Sequence, residues 1–246
     1  MKITLQIILA ALVVFSCQPT EEKKIAKYWQ GQPVEFSNLK EVVNTYHMFD
    51  STDTKVGSMV FGFSFENGFL VARDTSQFDN GSVYETAELI FDTSNFTIKK
   101  VAIDFQLATA SLDVDLRNDN GRIIGSYTII RDTIETPNAI DSAYQFTTFR
   151  EEIYMLAHTL NLKSGDTLSL QALVPTSMAV SNTQMYYAGT ETIETINGME
   201  ECDVVWLKAD GRMPDNKIWI SQAAPRTIMK FYVPGAELDI ELVSQK

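Results

Sequence analysis

Few side chains in this sequence have the types and spacing that acid–base, nucleophilic or metal chemistry requires. The 246 residues include two histidines, His47 and His158, and two cysteines, Cys17 and Cys202. Their spacing matches no zinc-binding, catalytic-triad or phosphate-binding motif. We therefore predict no catalytic residue, no metal ligand and no cofactor site, and we assign both histidines a structural or solvent-facing role.

Carboxylates are the most abundant groups that could do chemistry, because the chain has 32 Asp and Glu residues and a glycosidase needs only two. Asp104, Asp113 and Asp115 fall in segments where Asp alternates with apolar residues, which is typical of a half-solvated strand. The Asp119–Gly121 segment lacks the other ligands of a calcium loop and is explained by a turn. We expect no enzyme activity, with an exported glycan hydrolase that uses a carboxylate pair as the alternative.

Cys17 directly follows an apolar N-terminal segment. The run Ile3–Phe15 comes after the basic residue Lys2 and is shorter than the roughly 20 residues that span a bilayer. Residues 1–16 are therefore predicted to be a signal peptide. The sequence around Ser16 and Cys17 resembles the lipobox of bacterial lipoproteins, which implies that Cys17 carries the lipid. A signal peptide without lipidation is the alternative.

Lipidation of Cys17 implies a chain anchored in the outer membrane, on its periplasmic or cell-surface side, since Gln18 rather than Asp follows the cysteine. Cys202 then has no cysteine partner, and its apolar neighbours predict a small buried hydrophobe. Removing residues 1–16 deletes one lysine, so 19 basic and 32 acidic residues give a net charge of −13. Such a charge repels phosphate backbones, and we expect no nucleic-acid partner.

The elements that would position these residues are short strands. Residues 57–134 and 166–243 alternate between apolar and polar types and are broken by turn residues, which predicts antiparallel strands in meander order. Two dipeptides, Asn67-Gly68 and Asn120-Gly121, suit the positive φ angles of tight hairpin turns. The alternation also puts Cys202, Val204 and Trp206 on one face of a strand.

Residues 143–162 change to a spacing of three and four, which predicts the one firm helix. Its apolar stripe consists of Phe146, Phe149, Ile153, Leu156, Ala157 and Leu160. Glu151 and Glu152 are expected on the opposite, solvent side, and residues 39–48 are expected to form a further helical piece. We predict a mainly β, single-domain protein, a curved antiparallel sheet (half-open barrel) wrapped around one helix. The signal peptide occupies residues 1–16, a tether 17–50 and the β-rich domain 51–246.

The last hundred residues or so contain, in order, a predicted helix ending L-x-L-x-x-G, a G-x-E-x-I segment, a glycine turn and a W-I-S strand that leads to P-R. The residues of this pattern are Leu160, Leu162, Gly165, Gly189, Glu191, Ile193, Gly198, Trp219, Ile220, Ser221, Pro225 and Arg226. The pattern resembles that of a bacterial envelope family catalogued as domain of unknown function 3108. The resemblance implies a half-open β-barrel similar to lipoprotein-carrier folds, with no assigned enzyme activity.

Aromatic residues are the candidates for a binding site. A cavity between sheet and helix is predicted to be lined by Phe61, Phe63, Phe65, Phe146, Phe149, Trp206 and Trp219, although the same residues could simply form the core. Concave apolar walls with few polar groups bind apolar molecules. We therefore expect a lipid-anchored cell-envelope protein that binds an apolar small molecule or an envelope protein partner.

Overall fold

The structure is a computed structural model, and it describes residues 28–29, 32–33, 39–142, 148–160, 162–174 and 179–246. The predicted signal peptide, Cys17 and Phe146 lie outside these ranges. In the described part, 14 strands form one antiparallel sheet, and two further strands of two residues, β1 (Tyr28–Trp29) and β2 (Gln32–Pro33), pair with each other. The predicted fold class is thereby confirmed.

The strands of the main sheet follow the chain in hairpins. They are β3 (Val42–Phe49), β4 (Lys55–Glu66), β5 (Phe69–Phe78), β6 (Val83–Asp92), β7 (Ile98–Leu107), β8 (Ala110–Asp119), β9 (Arg122–Arg131), β10 (Ile134–Ser142), β11 (Thr167–Val174), β12 (Ala179–Thr195), β13 (Gly198–Ala209), β14 (Asn216–Ser221), β15 (Ile228–Val233) and β16 (Leu238–Gln245). The single described helix, α1, spans Arg150–Thr159, and a short 3-10 turn spans Pro234–Ala236.

The order of strands shows that the barrel is open. The sheet runs β10-β9-β8-β7-β6-β5-β4-β3-β16-β15-β14-β13-β12-β11, so the first and last strands of the domain pair in the middle, and the strands on either side of the chain's midpoint form the two outer edges. The segment that connects edge strand β10 to edge strand β11 contains α1, and Thr148, just before the helix, forms a bridge to Ala172 of β11. The helix therefore crosses the concave side of the sheet.

The hairpin turns predicted from the sequence are confirmed. Asn67 and Gly68 have φ angles of 50° and 89°, and Asn120 and Gly121 have φ angles of 53° and 87°. Both dipeptides thus occupy the left-handed region that a two-residue hairpin turn requires. The turns set the registers Glu66↔Phe69 and Asp119↔Arg122, which fix the face of every following residue.

The core lies between the concave face and the helix. Phe61 of β4 and Phe231 of β15 pack on Tyr154 of α1, with ring centroids 6.0 Å and 4.6 Å apart. Residues in register with these two point the same way, so the concave face can be followed from strand to strand. Because the sheet curves around the helix, all side chains from Glu151 to Thr159 are buried.

Three sequence-based expectations are corrected. Glu151 and Glu152, expected on the solvent side of the helix, are buried at 2% and 1% exposure, because the sheet surrounds the helix rather than covering one side. Residues 39–48, expected to be helical and part of the tether, contain strand β3, where Asn44, Tyr46 and Met48 alternate as buried residues.

The third correction concerns the bounds of the central helix, predicted at 143–162. The described helix begins at Arg150 and ends at Thr159, and Leu160 already has an extended backbone. Strand β10 was not predicted, because its sequence contains Pro137 and little apolar alternation. Within the described ranges, no helix has the length and apolar character that crossing a bilayer requires.

Candidate functional site

A cavity of about 400 Å³ lies between the concave face of the sheet and the N-terminal end of α1. Most of its wall is apolar and comes from strands of both halves of the sheet, for example Met59, Ile103, Leu173 and Ile240. Tyr154 contributes from the helix. This volume falls in the range of small-molecule sites, which are also mostly apolar with a few placed polar groups.

The exposure of the lining residues shows where the cavity opens. Phe78, Val83, Met213 and Leu238 are half-buried and lie near strand ends, whereas Met59 and other lining residues are almost fully buried. The half-buried residues therefore form the mouth, and the buried ones form the inner wall. Access from solvent passes beside the first turn of the helix.

An ion cluster, in which three buried carboxylates surround a half-buried arginine, supplies the polar part of the wall. Arg150, the first residue of α1, binds Asp74 through Nη2, Glu85 through Nη1 at 2.8 Å and Glu151 through Nη2 at 2.8 Å. Ser76 lies 3.2 Å from both carboxylate oxygens of Asp74 and donates to them. Asp74 and Ser76 belong to β5, and Glu85 belongs to β6, where it pairs with Ser76. Glu85, Arg150, Glu151 and Ser76 all line the cavity.

Burial dominates the electrostatics of this cluster. It raises the pKa of Asp74 to about 7, although the Arg150 charge opposes the shift, and it also raises the pKa of Glu151. Burial alone would lower the pKa of Arg150, but its three carboxylate neighbours hold the pKa well above the ordinary value. One permanent positive charge thus faces three acidic groups, and burial favours the protonated form of two of them, Asp74 and Glu151.

The C-terminal end of α1 is closed by another arginine, which is buried. Arg226 donates through Nη1 to the Leu160 carbonyl at 3.0 Å and through Nε to the Ser221 carbonyl at 3.2 Å, and its Nη2 pairs with Asp203. His158 donates from Nδ1 to the Arg226 carbonyl at 2.6 Å. Burial lowers the pKa of His158 to about 4, so the ring is neutral, and a carbonyl partner requires the proton on Nδ1.

The aromatic residues predicted to line a cavity are distributed over both faces of the sheet. Phe61 and Phe63 pack on His158, with Phe63 at 5.2 Å between ring centroids, and Phe149 is buried at the start of the helix. Phe65 is half-buried at the end of β4. None of these four, and neither of the two tryptophans, lines the 400 Å³ cavity. Its aromatic wall residues are Phe78, Phe105 and Tyr154.

The two tryptophans lie on the convex face. Ile218 is in register with Phe231, which contacts the helix, so the adjacent residue Trp219 points the opposite way. Trp219 donates from Nε1 to Glu191 at 2.9 Å, and Lys217 lies 4.4 Å from the ring centroid. Trp206 is similarly covered by Lys208 at 4.1 Å. Glu191, Trp219 and Arg226, three residues of the family resemblance, therefore act in this chain as structural contacts.

The remaining candidates for chemistry lie away from the cavity. Asp104 and Asp113 are paired on β7 and β8 on the convex face, and Asp115 is exposed on the same face. Cys202 is fully buried, as predicted, and burial raises the pKa of its thiol to about 11. Across the described ranges, no three His, Cys, Asp or Glu side chains are arranged to hold a metal ion.

The cluster at the cavity was missed by sequence reasoning, although it left a signal. Asp74 is in phase with Leu70 and Ala72, which point to the core, and Glu85 is in phase with Ala87 and Leu89 on the neighbouring strand. Acidic residues in the apolar phase of two adjacent strands indicate a buried polar site. The partner, Arg150, could be placed beside them only by the fold.

Comparisons with known proteins address the fold. No family model and no curated protein matches the sequence. The fold is similar to that of a solved β-barrel-like protein of domain of unknown function DUF1849 from Brucella abortus, with a TM-score of 0.54 and 12% identity over 87% of this chain and 98% of that one. This likeness supports the assignment of a β-barrel-like fold and says nothing about activity.

Two further solved proteins match at lower scores. One is a candidate lipoprotein of Parabacteroides distasonis, with a TM-score of 0.32 and 11% identity over 86% of this chain and 97% of that one. The other is a candidate exported protein with a YmcC-like fold from Bacteroides fragilis, with a TM-score of 0.34 and 9% identity over 87% and 99%. At these scores they add nothing to the description of the fold.

Proposed function

We propose that this protein is anchored by lipid at Cys17 in the outer membrane of a bacterial cell and binds an apolar small molecule in its cavity, without catalysing a reaction. The observation that carries the proposal is the 400 Å³ cavity with a mostly apolar wall and an open mouth. Moving an apolar ligand from water to such a wall is favourable by roughly 25 cal/mol for each Å² of apolar surface buried.

The envelope location rests on the amino-terminal sequence. An apolar run that ends at Ser16-Cys17, followed by a polar and charged stretch, is the pattern from which exported lipoproteins are processed. The acyl chains on such a cysteine would hold the domain at a membrane surface. The cavity would then lie close to a membrane, which is a source of apolar molecules.

A ligand fits the cavity better than a protein partner does. Its mouth is framed by half-buried side chains such as Phe78, Val83 and Met213, and its depth reaches Tyr154 on the helix. A partner protein would require an extended apolar surface of several hundred Å². The enclosed apolar area at this site is inside the sheet and is suited to a molecule that enters it.

Mass spectrometry of protein extracted from its own membrane tests both parts of the proposal. Denaturing spectra should show a covalent acyl mass increment at Cys17, and native spectra should show a non-covalent apolar adduct. The variant Val83→Phe, which narrows the mouth, should reduce the occupancy of the adduct at least fivefold. Ile90→Phe makes a similar change on the convex face of the same strand and should leave the occupancy unchanged. Equal occupancy in both variants, or protein without any adduct or capacity for apolar probes, would contradict the proposal.

A further inference from the structure

The charged wall of the cavity selects the head group of its ligand. Building on the proposed function, we propose that the cavity takes an amphiphile with a positively charged head, a primary or substituted alkylamine, whose cation is held by Glu85 and Glu151 while its alkyl part lies against the apolar wall. The cavity alone predicts an apolar ligand. The arrangement of charges at its polar end adds the chemistry of the head.

Arg150 has little capacity left for an anionic ligand. Both of its terminal nitrogens are engaged by carboxylates from three elements, Asp74 of β5, Glu85 of β6 and Glu151 of α1, and its buried Nε is the one nitrogen of this side chain without a hydrogen-bond partner. Arg150 is also the one basic residue among those that line the cavity. A fatty acid would therefore meet three acidic groups and would compete with them for a single arginine.

Two of the carboxylates, Glu85 and Glu151, can accept a hydrogen bond from a further donor. Arg150 contacts Glu85 through Oε2, so Oε1 of the same carboxylate can accept a hydrogen bond from a ligand in the cavity. Glu151 likewise meets Arg150 through Oε1. An ammonium group has only donors, and a charge-assisted hydrogen bond to a carboxylate is about twice as strong as a neutral one.

The balance of charge also favours a cation. A bound cation can be paired with a carboxyl that burial otherwise keeps protonated, whereas an anion finds no second basic residue in the lining of the cavity. The low polarity of the surrounding wall, with Met59, Ile103 and Phe105 nearby, strengthens this preference because the charges are poorly screened there.

The pH dependence of binding follows from the same groups. Burial raises the pKa of Asp74 to about 7, and the charged or titratable groups that face it are Glu85 of β6, Arg150, Glu151 and Tyr154 of α1, and Tyr46 of β3. A bound cation favours the ionised form of the carboxyls and releases a proton. The affinity for an alkylamine should therefore rise between pH 6 and pH 8, while the affinity for a neutral probe should not.

Three probes of equal chain length test the inference on the full-length protein by isothermal titration calorimetry: decylamine, decanol and decanoate. At pH 7.5 decylamine should bind at least tenfold more tightly than the other two. Glu85→Gln should reduce this preference to less than threefold while decanol binding persists. Glu88→Gln, the same change on the convex face of the same strand, where Glu88 pairs with the half-exposed Arg73, should keep the preference.

The possible results separate this inference from the proposed function. If decanoate or decanol binds as well as decylamine, the inference on the head group fails and the apolar cavity remains. If none of the three probes binds, the proposed function fails as well. Should Glu85→Gln not fold, the ranking of the three probes on the unaltered protein at pH 6 and pH 8 still decides, because a flat ranking across that range contradicts the inference.

Discussion

Each end of the central helix is held by an arginine, half-buried at one end and buried at the other, and the two are surrounded differently. Arg226 at the C-terminal end meets one carboxylate and two backbone carbonyls. Arg150 at the N-terminal end meets three carboxylates and borders a cavity. The first network is balanced in charge and closed. The second has three acidic groups around one arginine and opens to the cavity, which is the arrangement expected of a binding site rather than of a structural contact.

The helix dipole makes the difference sharper. A cation near the C-terminal carbonyls is favourable, and Arg226 satisfies the Leu160 carbonyl, which no residue of the helix can do. A cation at the first helical position opposes the dipole, and Arg150 occupies that position. Its carboxylate neighbours offset this cost. Carboxyl groups whose pKa values are raised by burial beside a cavity, such as Asp74 and Glu151, are common at functional sites.

The largest expected effect on stability comes from removing Arg226 at the C-terminal end of the helix. Arg226→Met leaves Asp203 without its partner and the Leu160 carbonyl without its donor, and it should lower the free energy of unfolding by about 4 kcal/mol, since removing one member of a buried pair costs this order of energy. Urea unfolding monitored by circular dichroism measures the change. Arg117→Met, on the exposed side of β8, is the control and should cost less than about 0.5 kcal/mol. If Arg226→Met lowers the free energy of unfolding no more than the control does, the network has no structural role.

A second variant tests the closed end by its pH dependence. Burial lowers the pKa of His158 to about 4, so the folded state binds fewer protons than the unfolded state between pH 4 and 6.5. Stability contributed by the neutral ring is present above pH 6.5 and is lost as the pH falls toward 4, by about 3 kcal/mol. His158→Asn keeps a donor for the Arg226 carbonyl and should abolish this slope. His47→Asn, on the convex face, should retain it, and the same slope in both variants would contradict the assignment.

The open end should show the opposite slope, with a smaller effect over the accessible range. Burial raises the pKa of Asp74 to about 7, so the folded state binds more protons than the unfolded state between pH 4 and 7. Stability is therefore greater at pH 5 and falls by about 2 kcal/mol toward pH 7. Asp74→Asn should flatten this decline, and Asp104→Asn, on the convex face, should not. Unfolding curves at pH 5, 6 and 7 measure the slopes; an unchanged decline in Asp74→Asn would mean that Asp74 is ionised throughout.

The fold could be predicted from the sequence because its signals are local. Alternation in Met59, Phe61 and Phe63 and the turn at Asn67-Gly68 fix strands and register without knowledge of distant residues. The wrong expectations for Glu151 and Glu152 have the opposite cause. Their burial depends on strands from both halves of the sheet meeting around the helix, and no pattern within the helix carries that information.

The candidate site could not be predicted for the same reason. The residues of the ion cluster are far apart in sequence, since Arg150 comes 76 positions after Asp74, and the fold alone brings them together. The predicted aromatic residues were strong local signals, but large apolar side chains such as Phe61 fill the core and leave no space. The cavity forms where the packing of such residues ends, beside the first turn of the helix.

The pairing of β3 with β16 has a consequence for how this protein is made. These strands are adjacent at the centre of the sheet, and Gln245 donates to Asn44 across 201 positions of the chain. Backbone bonds between Val43 and Lys246 run in both directions at 3.0 Å. The half of the sheet formed by β3–β10 is thus joined to the half formed by β11–β16 only through the pairing of β3 with β16. This pairing can form only when the final strand has been synthesised, and until then β3 exposes an unpaired edge. Folding should be slow and dependent on long-range contacts, and this edge is where a nascent chain would need protection from aggregation.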